Sequence, residues 1–286
     1  MPYITIRWKF IITVAVSTAW MLLSIWLSVP WYEQLSDHTT PFIAAFLIGF
    51  IAIIPGFMNA FIMVALALDK RPRVPLHDHY PSVTVLVAAY NEAESIEDTV
   101  RSLMRQTYPG ALHVTVINDG SADNTADIVR GLLPEYPHLN LLDLQKNSGK
   151  ANALNQGLAQ CSSPFVITVD ADCWIWKDGI QNLVGRRLAD PPNTRAVAGA
   201  ILIRNSRQNW LTKAQEWDYF LGIAAIKRIQ SLFQGTLVAQ GAFSLYDRET
   251  LVEVGGWPHT VGEDIVLTWK ILHAGYRVGH AENAIA

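Results

Sequence analysis

Hydrophobic and polar positions follow two different patterns along this chain. Near the start the apolar runs are long and unbroken: residues 10–29 carry no charge, and neither do residues 41–68. A helix rises about 1.5 Å per residue, so about twenty residues cross the hydrocarbon core of a bilayer, and both runs are expected to be transmembrane helices. Pro55-Gly56 inside the second predicts a kink rather than an end. From residue 83 the runs shorten and begin to alternate. "VTVLVAA" (83–89) predicts a buried strand, and 92–106 places Ile96, Val100, Leu103 and Met104 at helical spacing. "HVTVI" (113–117) predicts the next strand, 123–133 a helix, "LNLLDL" (139–144) a third strand, 149–160 a helix, and "FVITVD" (165–170) a fourth strand. Strands alternating with helices of this length predict an α/β domain, Rossmann-like, with a mostly parallel sheet covered on both faces.

Past Arg204 the pattern loosens. Residues 209–233 predict a long helix carrying Trp210, Trp217 and Phe220, whose apolar face calls for a cover. "TLVAQGAFSLYDR" (236–248) fits a strand or a loop. "GEDIVLTWKILHAG" (262–275) opens on acids and closes on glycine, as a capped helix does. "HAENAIA" at the end has the pattern of a strand. The organisation expected is a membrane region over 1–68 (spans 10–29 and 41–68), a proline-broken linker over 69–82, and the α/β domain over 83–286.

Charge changes the picture by giving the spans a direction. Arg7 and Lys9 precede the first, and Lys70, Arg71 and Arg73 follow the second. The connection "PWYEQLSDHTT" contains Glu33 and Asp37 but no Lys or Arg, so both ends are expected in the cytosol. A cleaved signal peptide fits less well, because "SVPWYEQ" has no small-x-small cleavage site. A net charge of −3 and a pI near 6.2 argue against a nucleic-acid partner. Cys161 and Cys173 lack metal spacing and are expected to be packing residues. His77-Asp78-His79 fits a solvated linker better than a metal site.

The chemistry gathers at strand ends. Asp170 and Asp172 close the fourth predicted strand one residue apart, and in an extended chain such residues point to one face. Two neighbouring acids repel unless something cationic lies between them, although a solvated turn reads the same way. Glu92 follows the first strand and Asp119 the second, so three strands deliver acids to the rim where open α/β sheets bind ligands. Carboxylates suit a hard cation such as Mg²⁺ or Mn²⁺ together with substrate phosphates. There is no GxxxxGK[ST] or GxGxxG pattern, so a diphosphate held mainly by metal fits better than an ATP loop or a dinucleotide fold. Lys150, just after Gly149 at a helix start, is either a phosphate contact or an exposed lysine. Glu263 and Asp264 open a helix, where a carboxylate stays ionised; this is either a charge effect or a general base for an incoming hydroxyl.

Taken in order, "VAAYNE", "INDGS", "NSGKANALN", "VDAD", "QGAFSLYDR" and "VGED" resemble the motif series of family 2 glycosyltransferases over residues 83–275. Within that family the leading spans and the "QGAFSLYDRETLVEVGGW" style are most similar to bacterial poly-β-1,6-N-acetylglucosamine synthases, with chitin, hyaluronan and cellulose synthases as relatives. The resemblance implies a GT-A fold, an inverting reaction, a UDP-sugar donor such as UDP-N-acetylglucosamine, and Mg²⁺ or Mn²⁺. It implies that Tyr90, Glu92 and Asp119 line the uridine pocket with Lys150 near it, that Asp170 contacts the nucleotide, and that Asp172, with Asp170, ligates the metal. Gln240, Gly241, Ala242, Phe243 and Glu263 would form the acceptor end, and Asp264 would be the base. The implied partners are a growing polysaccharide, the lipid bilayer and an export or accessory membrane protein, in a bacterial inner membrane. Polymerising members carry a Q-x-x-R-W motif past the base, and this sequence has none, so it is expected to be a piece of a longer protein. Two other readings remain: transfer of a sugar to a lipid phosphate carrier, and a module that holds UDP and metal without turnover.

Overall fold

A computed structural model describes residues 4–70, 77–233 and 235–286. Residues 71–76 of the linker, with Arg71 and Arg73 of the orientation argument, lie outside the described residues. The chain divides into two compact units, Met1–Pro72 and Arg73–Ala286.

The first unit is helical. α1 spans Ile6–His38, well beyond residues 10–29, and carries Pro30 within it. α2 (Pro41–Ile48) begins at the Thr40 hydroxyl, which accepts the Ile43 N–H, with Pro41 at the first helical position where no N–H is needed. A π-helical segment over Gly49–Ile53 then leads into α3 (Ile54–Leu68). The wider segment sits just ahead of Pro55, whose ring would clash with a carbonyl one α-turn earlier, so the kink expected there takes the form of a π-bulge. Lys9, Thr13 and Ser17 form a buried stripe on α1, and Ala44 and Ala65 are buried on the other helices. Small and hydroxyl side chains let helix backbones approach closely. Two stretches, Ile6–His38 and Pro41–Leu68, are long and apolar enough to cross a membrane.

The second unit is a seven-stranded sheet. In chain order its elements are β1 (Val83–Ala89), α4 (Ile96–Met104), β2 (Leu112–Asp119), α5 (Thr125–Leu132), β3 (Leu139–Leu144), α6 (Lys150–Gln160), β4 (Phe165–Asp170), α7 (Gly179–Ala189), β5 (Thr194–Ala200), α8 (Trp210–Asp218), α9 (Ile226–Leu232), β6 (Phe243–Asp247), α10 (Arg248–Glu253), α11 (Glu263–His273) and β7 (Arg277–Ile285). The strand order is β3-β2-β1-β4-β6-β5-β7. All neighbours are parallel except β6, which runs antiparallel to both β4 and β5.

Period-two alternation along β1 builds two cores. Val83, Val85 and Val87 face one layer with Ile96, Val100 and Leu103 of α4 and Leu183 of α7. Leu86 faces the other, with Leu154 and Leu158 of α6, Leu267 and Ile271 of α11, and Trp257. Each of these side chains is almost fully buried, which contributes about 1.5–3 kcal/mol apiece relative to exposure.

Three elements fall where the hydrophobic pattern predicted nothing, α7, β5 and α10. The long helix expected over 209–233 is broken into α8, a π-helical segment (Tyr219–Ala225) and α9. Trp210, Trp217 and Phe220 remain exposed, at 80%, 65% and 52%.

Candidate active site

Register decides which residues meet. Ala88 pairs with Asp170 across β1/β4, and Ala89 with Asn118 across β1/β2, so the carboxyl ends of these three strands are level. Between β1 and β4 the strand order reverses direction, which is where open α/β sheets leave a crevice. An open cleft of about 420 Å³ lies there, lined by Tyr90, Glu92, Asp119, Lys150, Asp170 and Asp172 among others. That volume falls within the roughly 300–1,000 Å³ typical of small-ligand sites.

The acids on this rim do different jobs. The Asp119 carboxylate is buried and accepts three hydrogen bonds, from Ser148 N–H (3.0 Å), Ser148 Oγ–H (3.1 Å) and Gly149 N–H (2.8 Å). It therefore shapes the turn into α6. Gly149 sits at φ +90°, outside the range that L side chains adopt readily, and the turn needs it. Glu92 accepts the Ser95 hydroxyl at 2.8 Å, near the start of α4, and its own N–H is bound to Thr125 Oγ at 2.8 Å. Tyr90 is half exposed at the cleft edge.

Asp170 ends β4, and its carboxylate is ion-paired with the Lys150 ammonium. The extended geometry assumed for Asp170 and Asp172 stops at Asp170: the Cys173 N–H bonds back to the Asp170 carbonyl at 3.1 Å, closing a turn. Both carboxylates still line the cleft. The Asp172 side chain is exposed and makes no hydrogen bond or ion pair among the described residues. An unpaired carboxylate beside a paired one, both oxygen donors open to the cleft, is a donor set that suits a hard divalent cation completed by phosphate oxygens. Cys173 behind them is pushed up to about 12 by burial and by the two aspartates, so it stays a thiol.

A second group of residues arrives from the far part of the chain. The Asp170 N–H donates to the Ala242 carbonyl at 3.3 Å, which brings the segment before β6 against the end of β4. Gly241 N–H donates to Asp264 Oδ2 at 3.1 Å, and Ile265 N–H to Asp264 Oδ1 at 2.8 Å. These two bonds orient the Asp264 carboxylate at the first turn of α11. Glu263 Oε1 lies 3.8 Å from Lys150 Nζ. A Cβ on Gly241 would stand 3.1 Å from the same ammonium, so glycine leaves the lysine its room. Burial pulls Lys150 down, but the carboxylates of Asp170, Glu263 and Asp264 outweigh it and hold the group above its ordinary value. Phe243 is fully buried as the first residue of β6, and Gln240 points its amide at Gly199, donating to that carbonyl at 3.0 Å.

Several residues that shape the site lie in or beside the motifs but carry no role that the motifs imply. Asn91, at φ +56°, donates its N–H to Ser121 Oγ (3.0 Å) and accepts the Ala122 N–H (2.8 Å), and Asp123 accepts the Ala93 N–H at 3.1 Å. Together they lace the β1 loop to the β2 loop. Their signal is the Asn, Ser and Asp content after each strand, which favours such turns. Asn147 and Ser148 belong to the same kind of polar turn.

A mostly parallel sheet interrupted by one antiparallel strand, with an acidic cleft at its switch point, is the GT-A glycosyltransferase architecture. The glycosyl transferase family 2 profile matches residues 84–255, and the chain belongs to that family. It is 37% identical over 213 residues to poly-β-1,6-N-acetyl-D-glucosamine synthase of Staphylococcus aureus, a match that covers 74% of this chain and 50% of that protein. The chain thus spans about half the length of the curated relatives it matches. Among solved structures, the mannosyltransferase PcManGT of Pyrobaculum calidifontis, in complex with GDP-Man and Mn²⁺, superposes with a TM-score of 0.64 at 25% identity, covering 96% of this chain and 67% of that one. S. aureus TarS 1-349 in complex with UDP-GlcNAc shares the fold at 22% identity, with a TM-score of 0.52 over 72% of this chain and 58% of that one.

Proposed function

We propose that this chain is the donor-binding and catalytic part of a membrane-anchored, inverting glycosyltransferase that moves a sugar, N-acetylglucosamine, from UDP onto a growing β-linked polysaccharide. The observation that carries the reading is the Asp170 N–H to Ala242 carbonyl bond, which sets the acidic cleft and the Gly241–Asp264 pair side by side. The name of the S. aureus relative supports the sugar and the polymer. The apolar stretches over Ile6–His38 and Pro41–Leu68 support anchoring in the bilayer, and the basic residues Arg7, Lys9 and Lys70 support a cytoplasmic catalytic domain.

In this reading Tyr90, Glu92 and Asp119 bound the uridine end of the cleft, Asp119 through the turn it holds. Lys150 releases Asp170 in part to meet the diphosphate. Asp172 and Asp170 would hold a divalent cation, Mg²⁺ or Mn²⁺, which would neutralise charge on the leaving diphosphate. Glu263, Gly241 and Ala242 border the acceptor. Gln240 holds that segment through its bonds to Lys227 and Gly199, and Phe243, fully buried, supports it from the core rather than meeting the acceptor as expected. The acceptor hydroxyl attacks the anomeric carbon on the face opposite UDP, the carbon–oxygen bond to the diphosphate breaks, and Asp264 takes the hydroxyl proton. An α-linked donor thereby gives a β-linked product.

The test is UDP release by the membrane-embedded protein across a panel of sugar nucleotides, with Asp264→Asn and Asp172→Asn variants alongside. The expected result is turnover with UDP-N-acetylglucosamine. Asp264→Asn should retain UDP binding and lose transfer by about 10²–10⁴-fold, the usual contribution of a general base. Normal turnover by Asp264→Asn would remove the base; normal turnover by Asp172→Asn would remove the metal ligand. A second reading, a GDP-sugar donor, is favoured by the coverage of PcManGT, and GDP-mannose belongs in the panel for that reason.

A further inference from the structure

One buried ammonium has no place in the chemistry above. Lys227 on α9 is 8% exposed, and no carboxylate bonds to it among the described residues. Its Nζ donates instead to the Val238 carbonyl at 3.0 Å and to the side-chain oxygen of Gln240. A buried charge is costly unless its N–H groups find acceptors, and here one short segment supplies both.

That segment leads straight to the candidate base. The Ala239 N–H donates to Thr268 Oγ at 2.9 Å, and the Ala239 carbonyl accepts the Tyr246 hydroxyl at 2.9 Å. The Gln240 side chain, held at its oxygen by Lys227, donates from Nε2 to Gly199 at the end of β5. Gly241 N–H then donates to Asp264. Residues 238–241 are therefore fastened from α9, β5, β6 and α11, and Lys227 makes the two bonds from α9.

We propose that Lys227 is a positioning residue for the acceptor side of the transfer: by clamping Val238 and Gln240 it sets the Gly241 amide, and through it the Asp264 carboxylate. This rests on reading Asp264 as the base and Gly241 and Ala242 as bordering the acceptor. Burial pushes Lys227 down to about 8 while the charge of Asp264 opposes the shift, so the two groups also sense each other electrostatically. None of the bonds made by Lys227 reaches β1, β2 or α6, so its loss should separate acceptor from donor behaviour.

The experiment compares Lys227→Met with the unsubstituted membrane-embedded protein in three measurements: affinity for UDP with Mn²⁺, UDP release from UDP-N-acetylglucosamine as an N-acetylglucosamine oligosaccharide is titrated in, and amide hydrogen exchange at Ala239 and Gly241, the two bonded N–H groups of the segment. The expected result is unchanged UDP affinity, a loss of about ten- to a hundredfold in kcat/KM for the oligosaccharide, as for a misplaced catalytic group, and faster exchange at both amides. Adding Gln240→Leu should deepen the loss no further than the worse single variant does. Acceptor kinetics like those of the unsubstituted protein, a parallel loss of UDP affinity and transfer, or additive losses in the double variant would overturn the proposal. If the unsubstituted protein releases UDP from no sugar nucleotide, the functional reading fails instead, and exchange alone judges the clamp. Faster exchange at Ala239 and Gly241 then sustains it, and unchanged exchange overturns it.

Discussion

Lys150 reaches from the first turn of α6 to pair with Asp170 at the end of β4, a residue twenty positions later in the chain. In a domain whose net charge is negative this places a fixed positive group on the floor of an acidic cleft. Three carboxylates hold Lys150 above its ordinary value, so it stays charged through the neutral range and gives no alkaline limb below pH 10. Lys150→Met is expected to weaken UDP binding by about tenfold or more, the scale of one charge-assisted hydrogen bond. Isothermal titration with UDP checks it, and an unchanged affinity would place the lysine outside the donor site.

Asp119 uses both carboxylate oxygens on the Ser148-Gly149 turn. Asn at this position keeps one acceptor and turns the other into a donor that faces a donor. Asp119→Asn is expected to cost about 1–3 kcal/mol of stability through the unmet N–H. It should also weaken UDP binding, because the turn carries Lys150. A thermal melt with and without UDP reads both effects, and a variant that melts like the parent would contradict the bonding described.

The pH dependence of stability carries a signature of Lys227. Its value in the folded chain, about 8, lies below the ordinary 10.5. Between those pH values the unfolded chain binds more protons than the folded one, so this group makes stability rise with pH across the window, by at most about 1.4 kcal/mol per pH unit. Below pH 8 both states are protonated and the contribution is a constant penalty. Lys227→Met should lack the rise. Parallel melting-temperature curves for the two proteins between pH 7 and pH 10 would refute the burial of a charge at this position.

At the opposite end of the sheet Asp247 is a stability determinant. Its carboxylate is buried between Arg187, which holds both oxygens at 2.7 and 2.6 Å, and Arg195 at 2.9 Å. Removing one member of such a cluster leaves uncompensated buried charge. Asp247→Ala is expected to lose about 3–5 kcal/mol, with UDP affinity unchanged in the folded fraction. Denaturation monitored by tryptophan fluorescence measures the first, and a shift below about 1 kcal/mol would show that the arginines find other partners.

How much of this was legible before the structure depends on which physical signal each part emits. β3 and β4 have the bounds that their apolar runs predict, and α6 and α11 lie within a residue or two of theirs. β5 was not visible because "TRAVAGA" is built of small residues with little strand preference, and it becomes a strand only by packing between β6 and β7. The direction of β6 was not visible either, since alternation reads the same for parallel and antiparallel strands. The acids at the rim were readable because strand ends locate them. Lys227 was not, because its partners are a carbonyl and an amide in a segment with no regular structure.

The reversed strand has a consequence for how such a domain can diversify. Because β6 enters beside β4 against the direction of its neighbour, the chain between β5 and β6 leaves the sheet and returns to the same edge of the cleft. That excursion can lengthen, shorten or change its composition while the four strands β3-β2-β1-β4 keep their spacing. On the proposed assignment of Gly241 and Ala242 to the acceptor side, exchanging residues 201–242 between family members is expected to alter what receives the sugar more than what delivers it.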